Sequence, residues 1–438
     1  MLEKLKRKVE GAEVYEIRSR ETPVRFRAGE LESAKSVERA GRALRIIKNG
    51  RLGYSTTTDL EDPQSLIENA LASAEFGDPA PFRFATKAKP PEVRCFDPAV
   101  ERLELERMIR MGEEVVDKIR AYNPELHIEV GLSRAVEELS LVTTEGQELR
   151  ERGTFFALSV EAQRTEEGDI LIVYDEAASR SLKEVDHDQV ADSLITTLRW
   201  CERLARPPTK EMPVLFTPRG AIVLLLPLMV GLSGKSVFLG TSPLKGKLGE
   251  RAFARDFTLV DDGTVPFAPR SSRFDDEGVP TSKRALIDRG EVRQFLYDLK
   301  TAGVAKAEST GNGFKSGLLS GRDFKNPPGI VPTTWTVSPG GESFEQLLSG
   351  LKEGLIVDQV LGLGQGNITS GEFSNNVAVG FYVRDGEIFG RVKNTMIAGN
   401  SYELLRERLI GLGSEVKWAY GFFRAPPILI DGVGVVSR

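Results

Sequence analysis

Polar and apolar residues alternate near the start of the chain. Glu13 to Ser19 and Pro23 to Ala28 carry the period-two pattern of half-buried strands. Ala43 to Ile47 and Leu52 to Ser55 flank Lys48-Asn49-Gly50-Arg51, and Asn-Gly is the strongest short hairpin signal. Asp62-Pro63 then reads as an N-cap followed by proline at the first helical position. Leu66, Ile67, Ala70, Leu71 and Ala74 repeat at helical spacing, and Phe76-Gly77 closes that helix. After a proline-rich connector over 78–100, the pattern predicts a helix over 101–121 and strands over 127–175. Thr144-Glu145-Gly146 and Glu166-Glu167-Gly168-Asp169 supply the turns, and a third helix is expected over 185–204. Strands then helix, twice over, predicts an α+β unit with weak internal duplication.

Arg206-Pro207-Pro208-Thr209 breaks this rhythm. It sets the expected boundary between an N-terminal mixed α/β domain, 1–206, and a sheet-rich C-terminal domain, 207–438. The second half is rich in glycine and short strand patterns: 213–217, 285–287, 292–298, 335–338, 377–384, 388–392 and 428–430. Helices are expected over 219–231, 301–307, 343–353 and 400–409, and Asp385-Gly386 marks a hairpin turn. The expected fold class is α+β, with a sandwich- or barrel-like sheet in the second domain.

Composition narrows the chemistry. The chain has 438 residues, enough for two or three domains, and a net charge of −5. Lys and Arg are spread rather than clustered, which argues against a direct nucleic-acid partner. The start of the chain has no apolar signal segment. The longest apolar run, Ala221 to Leu232, is too short for the ~20 residues of a membrane span. Cys95 and Cys201 stand far apart, as free thiols do in a reducing cytoplasm. A cytoplasmic location without membrane partners is therefore expected.

Each candidate motif also has a plainer reading. Gly-Leu-Ser-Gly-Lys-Ser over 231–236 imitates a phosphate loop, but Met229 stands where that loop needs its first glycine. The segment also follows a helix, so it reads as a helix stop. His127 and His187 are the only histidines, too few for a His-rich zinc site or a convincing triad. Asp256, Asp261 and Asp262, and then Asp275, Asp276 and Glu277, form two acidic runs. Such carboxylates do acid–base work where burial separates their pKa values, but ahead of glycine they more often make turns. Glycine- and asparagine-rich stretches occur at 309–313, 362–367 and 398–401, where close backbone approach to a partner strand or ligand is allowed.

Taken in order, Phe-Asp-Asp-Glu-Gly-Val-Pro-Thr (274–281), Ser-Thr-Gly-Asn-Gly (309–313), Gly-x-Phe-Ser (371–374), Asp-Gly-Glu-Ile (385–388) and Ile-Ala-Gly-Asn (397–400) resemble the TldD/PmbA family, once called modulators of DNA gyrase. The tail at 426–431 and the segment Asn49 to Tyr54 fit as well, so the resemblance spans nearly the whole chain. It implies one of two subunit kinds. The TldD kind carries a His-Glu-x-x-x-His helix and a late cysteine that hold zinc. The PmbA, or TldE, kind lacks them and pairs with the first to cleave short or unfolded peptides. Gly231-Leu232-x-Gly234 and Leu259 to Gly263 match the segments that follow the zinc helix. Counting back, its positions fall on Leu225, Leu226, Pro227, Leu228, Met229 and Val230, and no cysteine follows Cys201.

The resemblance therefore implies a PmbA/TldE-like subunit without a cofactor or catalytic residue of its own. Its implied partners are a zinc-bearing TldD-like chain, or a second copy of itself, and peptide substrates. Asp275, Asp276, Glu277, Gly278, Asn312, Gly313, Gln365 and Asn367 are the candidates for lining a substrate channel or interface. Two other readings stand beside this one. The first is an interaction protein acting on DNA gyrase or a toxin–antitoxin system. The second is a metal-independent hydrolase using Asp275, Asp276 or Glu277.

Overall fold

The computed structural model describes residues 1–317, 321–364 and 366–437. A large antiparallel sheet occupies the N-terminal half. Its strands are β1 (Gly11–Arg27), β2 (Glu30–Ala34), β3 (Val37–Lys48), β4 (Arg51–Thr57), β5 (His127–Thr143), β6 (Glu148–Glu166) and β7 (Asp169–Ser179). They run in the order β4-β3-β1-β5-β6-β7, with β2 paired to the end of β1. The two strands expected over 13–28 are thus one. Pro23 fits inside it because its missing N–H falls at the gap where β3 pairing stops, at Glu21↔Val37, and β2 pairing starts, at Val24↔Ala34.

Period two decides which face each residue takes. Even positions of β1 meet helices: Ala12 and Val14 pack with the Pro63–Ser73 helix, and Val24 and Phe26 with the Leu105–Tyr122 helix. Odd positions, Glu13 to Glu21, face the C-terminal half. The 63–73 helix starts as expected, with the Asp62 carboxylate accepting from the Gln64 and Ser65 amides. The Asn49-Gly50 turn has positive φ at both residues, as the tight hairpin requires. The helix expected over 101–121 is two, Pro98–Glu101 and Leu105–Tyr122, and that over 185–204 is His187–Trp200.

The C-terminal sheet is barrel-like. Strands Lys210–Phe216, Glu353–Leu361, Glu372–Arg384, Thr395–Asn400 and Ile428–Ser437 pair around a ring that the 353–361/372–384 ladder closes. Val214 and Phe216 join the same core cluster as the Ile222–Gly231 helix. Leu215 faces the other way, into the cluster holding the 105–122 and 187–200 helices. Burial on both faces explains the unbroken apolar run of that strand. Trp200 stacks on Phe344 at 6.3 Å and meets Phe381 edge-on at 5.5 Å, which ties the 187–200 helix to the barrel.

The strand expected over 292–298 stops at Val292. Beyond it, Leu296 trades backbone hydrogen bonds with Leu232 and Gly234 instead of joining a ladder. The 231–236 segment is accordingly the break between the Ile222–Gly231 helix and a short Gly234–Leu239 helix.

Candidate functional site

The 274–280 segment is a tight turn, closed by a bridge between Phe274 and Pro280. Asp275 Oδ1 accepts from the Glu277 and Val279 amides at 3.0 and 2.9 Å. Gly278 follows with φ +81°, a conformation glycine takes without strain. The turn reading of this acidic run is right for Asp275. It leaves out what matters more: Asp275, Asp276 and Glu277 are at most 1 % exposed.

Buried carboxylates need partners, and these have them. Asp275 Oδ2 accepts from the Gly313 amide at 2.8 Å. Asp276 Oδ2 accepts from the Lys315 amide at 2.7 Å, and Arg322 Nε lies 3.1 Å from its other oxygen. Glu277 Oε1 takes the Arg45 guanidinium at 2.7 Å, and Oε2 accepts from the Leu299 amide at 2.7 Å. Arg45 also clamps both oxygens of Glu13, its cross-strand neighbour, at 2.9 and 2.7 Å. Arg322 reaches Glu151 at 3.2 Å. One ionic network thus bolts odd-numbered positions of the N-terminal sheet to the C-terminal turn. Gly313 has to be glycine, since a Cβ there would fall 2.1 Å from Glu277 Oε2.

Asn312 belongs to the same cluster. Its side-chain amide donates to Asp261 Oδ2 at 2.9 Å and to the Val331 carbonyl at 3.1 Å. Asp261 Oδ1 accepts from the Thr333 amide and hydroxyl. Asp262 instead caps its own turn at Thr264. Burial raises the carboxyls of Asp261, Asp275 and Asp276, and pushes Glu277 up to about 7 against the pull of Arg45. The oxygens of Asp275 are taken up by main-chain amides, which suits a structural role better than a general base facing substrate.

A cavity of about 1110 Å³ opens beside this network, over the odd-numbered face of the N-terminal sheet. Ile17, Ser19 and Glu137 line it from the sheet, and Phe314, Lys315 and Arg322 from the C-terminal half. Asp275, Asp276, Glu277, Gly278, Asn312 and Gly313 come together behind this wall rather than on it. Asn367 is apart from them, in an exposed turn where its side chain accepts from the Ser370 amide. Gln365 lies outside the described residues.

Sequence reasoning missed Glu13, Arg45, Lys315 and Arg322. For Arg45 a signal existed: an arginine inside the apolar run Ala43 to Ile47 needs a buried acid. Lys315 gave none, because it follows a glycine-rich loop that fixes no periodicity. Both cysteines are free and buried, and burial pushes their thiols up, to about 11 for Cys95 and about 12 for Cys201.

Residues 209–437 match the family model described as the PmbA/TldA metallopeptidase C-terminal domain, and residues 12–74 match PmbA/TldA metallopeptidase domain 1. The chain belongs to the PmbA/TldD family. It is 26% identical over 405 residues to an uncharacterized Methanocaldococcus jannaschii protein, covering 91% of this chain and 90% of that one. It is 26% identical over 429 residues to the metalloprotease PmbA of Escherichia coli O157:H7, covering 94% and 89%. The fold matches TldE from Thermococcus kodakarensis with a TM-score of 0.89 at 24% identity, over 99% of each chain.

Other members of this family carry the metalloprotease name, so zinc has to be tested against this chain's own donors. The resemblance puts the zinc positions on the Ile222–Gly231 helix, at Leu225, Leu226 and Val230. None carries an imidazole, thiolate or carboxylate. Leu225 is 1 % exposed and Leu228 fully buried, both within the C-terminal core. Pro227 removes the N–H that would bond the Val223 carbonyl, and the Ser401 hydroxyl donates to that carbonyl instead, at 3.1 Å. Tyr402 donates its hydroxyl to the Pro227 carbonyl at 2.9 Å. This is a packed helix with its defect repaired, and its residues do not fit zinc.

Proposed function

We propose that this chain is the PmbA/TldE-like, non-catalytic subunit of a TldD/TldE-type complex that cleaves short or unfolded peptides. The observation that carries the reading is the apolar helix at the zinc position, where Leu225 is buried in the core and neither it nor Leu226 or Val230 carries a zinc donor. Zinc and the catalytic acid would come from a TldD-like partner. The relatives named metalloprotease TldD homolog, for example in Haemophilus influenzae, and the structural likeness to TldE support the pairing. The peptide would lie extended and be held by main-chain hydrogen bonds. No helix among the described residues is long and apolar enough to cross a membrane, which agrees with a cytoplasmic place of action.

The test is to co-express the chain with a TldD-like chain from the same genome, purify through a tag on one of them, and assay peptide cleavage. Co-purification, with cleavage by the pair and none by this chain alone, is expected. Cleavage by this chain alone, or no association, would overturn the reading.

A further inference from the structure

The outer face of the C-terminal barrel is only partly covered. Val379, Phe381 and Val383 of the Glu372–Arg384 strand point into the cluster that holds the 105–122 and 187–200 helices. Earlier in the same strand, Phe373 and Val377 turn into the barrel core. Ser374 and Asn376 therefore point outward, and both are exposed.

Register extends this bare face over the neighbouring strands. Asn376 pairs with Leu361 on one side and Met396 on the other, and Met396 pairs with Val436. Ser374 pairs with Ala398, and Ala398 with Gly434. Two rows result, about 7 Å apart, and the first spans about 14 Å across four strands. The first row is bulky, and it holds Leu361 and Val436 out to solvent at 58 % and 44 % exposure. The second row is small. None of the seven residues is charged, in a chain where 28% are. Large apolar side chains grouped on an exposed face mark a contact surface.

Gly434 is a second clue. Its φ is not left-handed. A Cβ there would stand 3.4 Å from its nearest neighbour, the Ala398 carbonyl, which is an ordinary contact. The chain itself therefore has no need of glycine at this position. Glycine inside a strand weakens it, and often marks the close approach of another backbone.

We propose that this face packs against the same face of a second copy of the chain, about a two-fold axis that runs across the strands between the two rows. That axis lays each strand antiparallel over its copy and sets the bulky row on the small one. Val436 then falls on the partner's Gly434, Met396 on the partner's Ala398, and Asn376 on the partner's Ser374. Bulky side chains over small ones fill the space between two sheets packed about 10 Å apart. Because both rows are neutral, a copy meets no like charge there. Glu211, opposite Gly434, and Glu372, opposite Asn400, are exposed and supply a polar rim. The rows are smaller than the ~800 Å² per partner of a standard interface, so a micromolar dimer is expected.

The experiment is sedimentation equilibrium of the purified full chain, with no other protein or peptide present. Between about 1 and 200 µM the chain should pass from monomer to dimer. Gly434→Thr should raise the dissociation constant at least about tenfold. It should melt no lower than the parent, since threonine suits an exposed strand position. Ala398→Glu, which sets a charge under the partner's Met396, should weaken the dimer at least as much, and its exposed position keeps the test open if the first variant folds poorly. A chain that stays monomeric throughout, or a dimer untouched by both substitutions, would overturn the proposal. Neither result bears on peptide cleavage, so this inference and the reading above stand or fall separately.

Discussion

Two buried regions of this protein solve opposite problems. The Ile222–Gly231 helix sits where the family resemblance puts zinc ligands, and it offers no imidazole, thiolate or carboxylate. The 274–277 turn holds three consecutive acids, and all are buried with charged or main-chain partners. Chemistry expected from position is missing in the first, while the second carries charge that does structural work. Polarity alone is thus a poor guide to catalysis here. What the regions share is that the polar groups each one buries find partners within the fold.

The largest effect should come from breaking the ionic network. Arg45→Met leaves Glu13 and Glu277 buried without their shared cation, and denaturant titration should show a loss of roughly 3–5 kcal/mol. A loss under 1 kcal/mol would mean that water reaches the network. In the apolar region, Leu225→Ala removes a side chain that is 1 % exposed, and should cost roughly 2–5 kcal/mol by the same titration. A near-neutral result would show the helix to be loosely packed, and so open to rearrangement around a ligand. Ser401→Ala strips the Val223 carbonyl of the donor that replaces the one Pro227 lacks, and should lower stability by about 1 kcal/mol.

The smallest effect is a slope. Burial raises the Glu277 carboxyl to about 7, above its ordinary 4.5, so the folded chain binds that proton more tightly than the unfolded chain. Its contribution to stability is therefore whole below about 4.5 and is lost as pH rises toward 7. Glu277→Gln should flatten stability against pH in that window, as read from denaturant midpoints. An unchanged slope would assign the titration to Asp275 or Asp276, whose carboxyls are raised too.

The two regions were not equally legible in the sequence. The apolar helix could be read directly, because six apolar residues in a row, 225–230, hold no imidazole, thiolate or carboxylate to place. The Asn49-Gly50 turn and the Asp62-Pro63 cap were legible for the same reason: each rests on the chemistry of adjacent residues. The ionic network was not. Glu13, Arg45, Glu277 and Arg322 lie far apart along the chain, and only strand register and sheet packing bring them together. The turn reading of the 275–277 acids is right for Asp275, yet the burial and pairing of Asp276 and Glu277 depend on residues far away in the chain, such as Arg45 and Glu13 of the N-terminal sheet. Likewise β1 looked like two strands, because Arg18, Arg20 and Pro23 interrupt its apolar pattern. The gap between its neighbours β2 and β3 makes the interruption tolerable.

The central claim is that the 222–231 helix cannot hold a metal and that the catalytic metal belongs to a partner chain. The most direct test is the zinc content of this chain purified alone from zinc-supplemented medium, measured by elemental mass spectrometry against protein concentration. The account predicts far less than one zinc per chain, and about one per pair once the TldD-like partner is bound. One tightly held zinc on the isolated chain would contradict it.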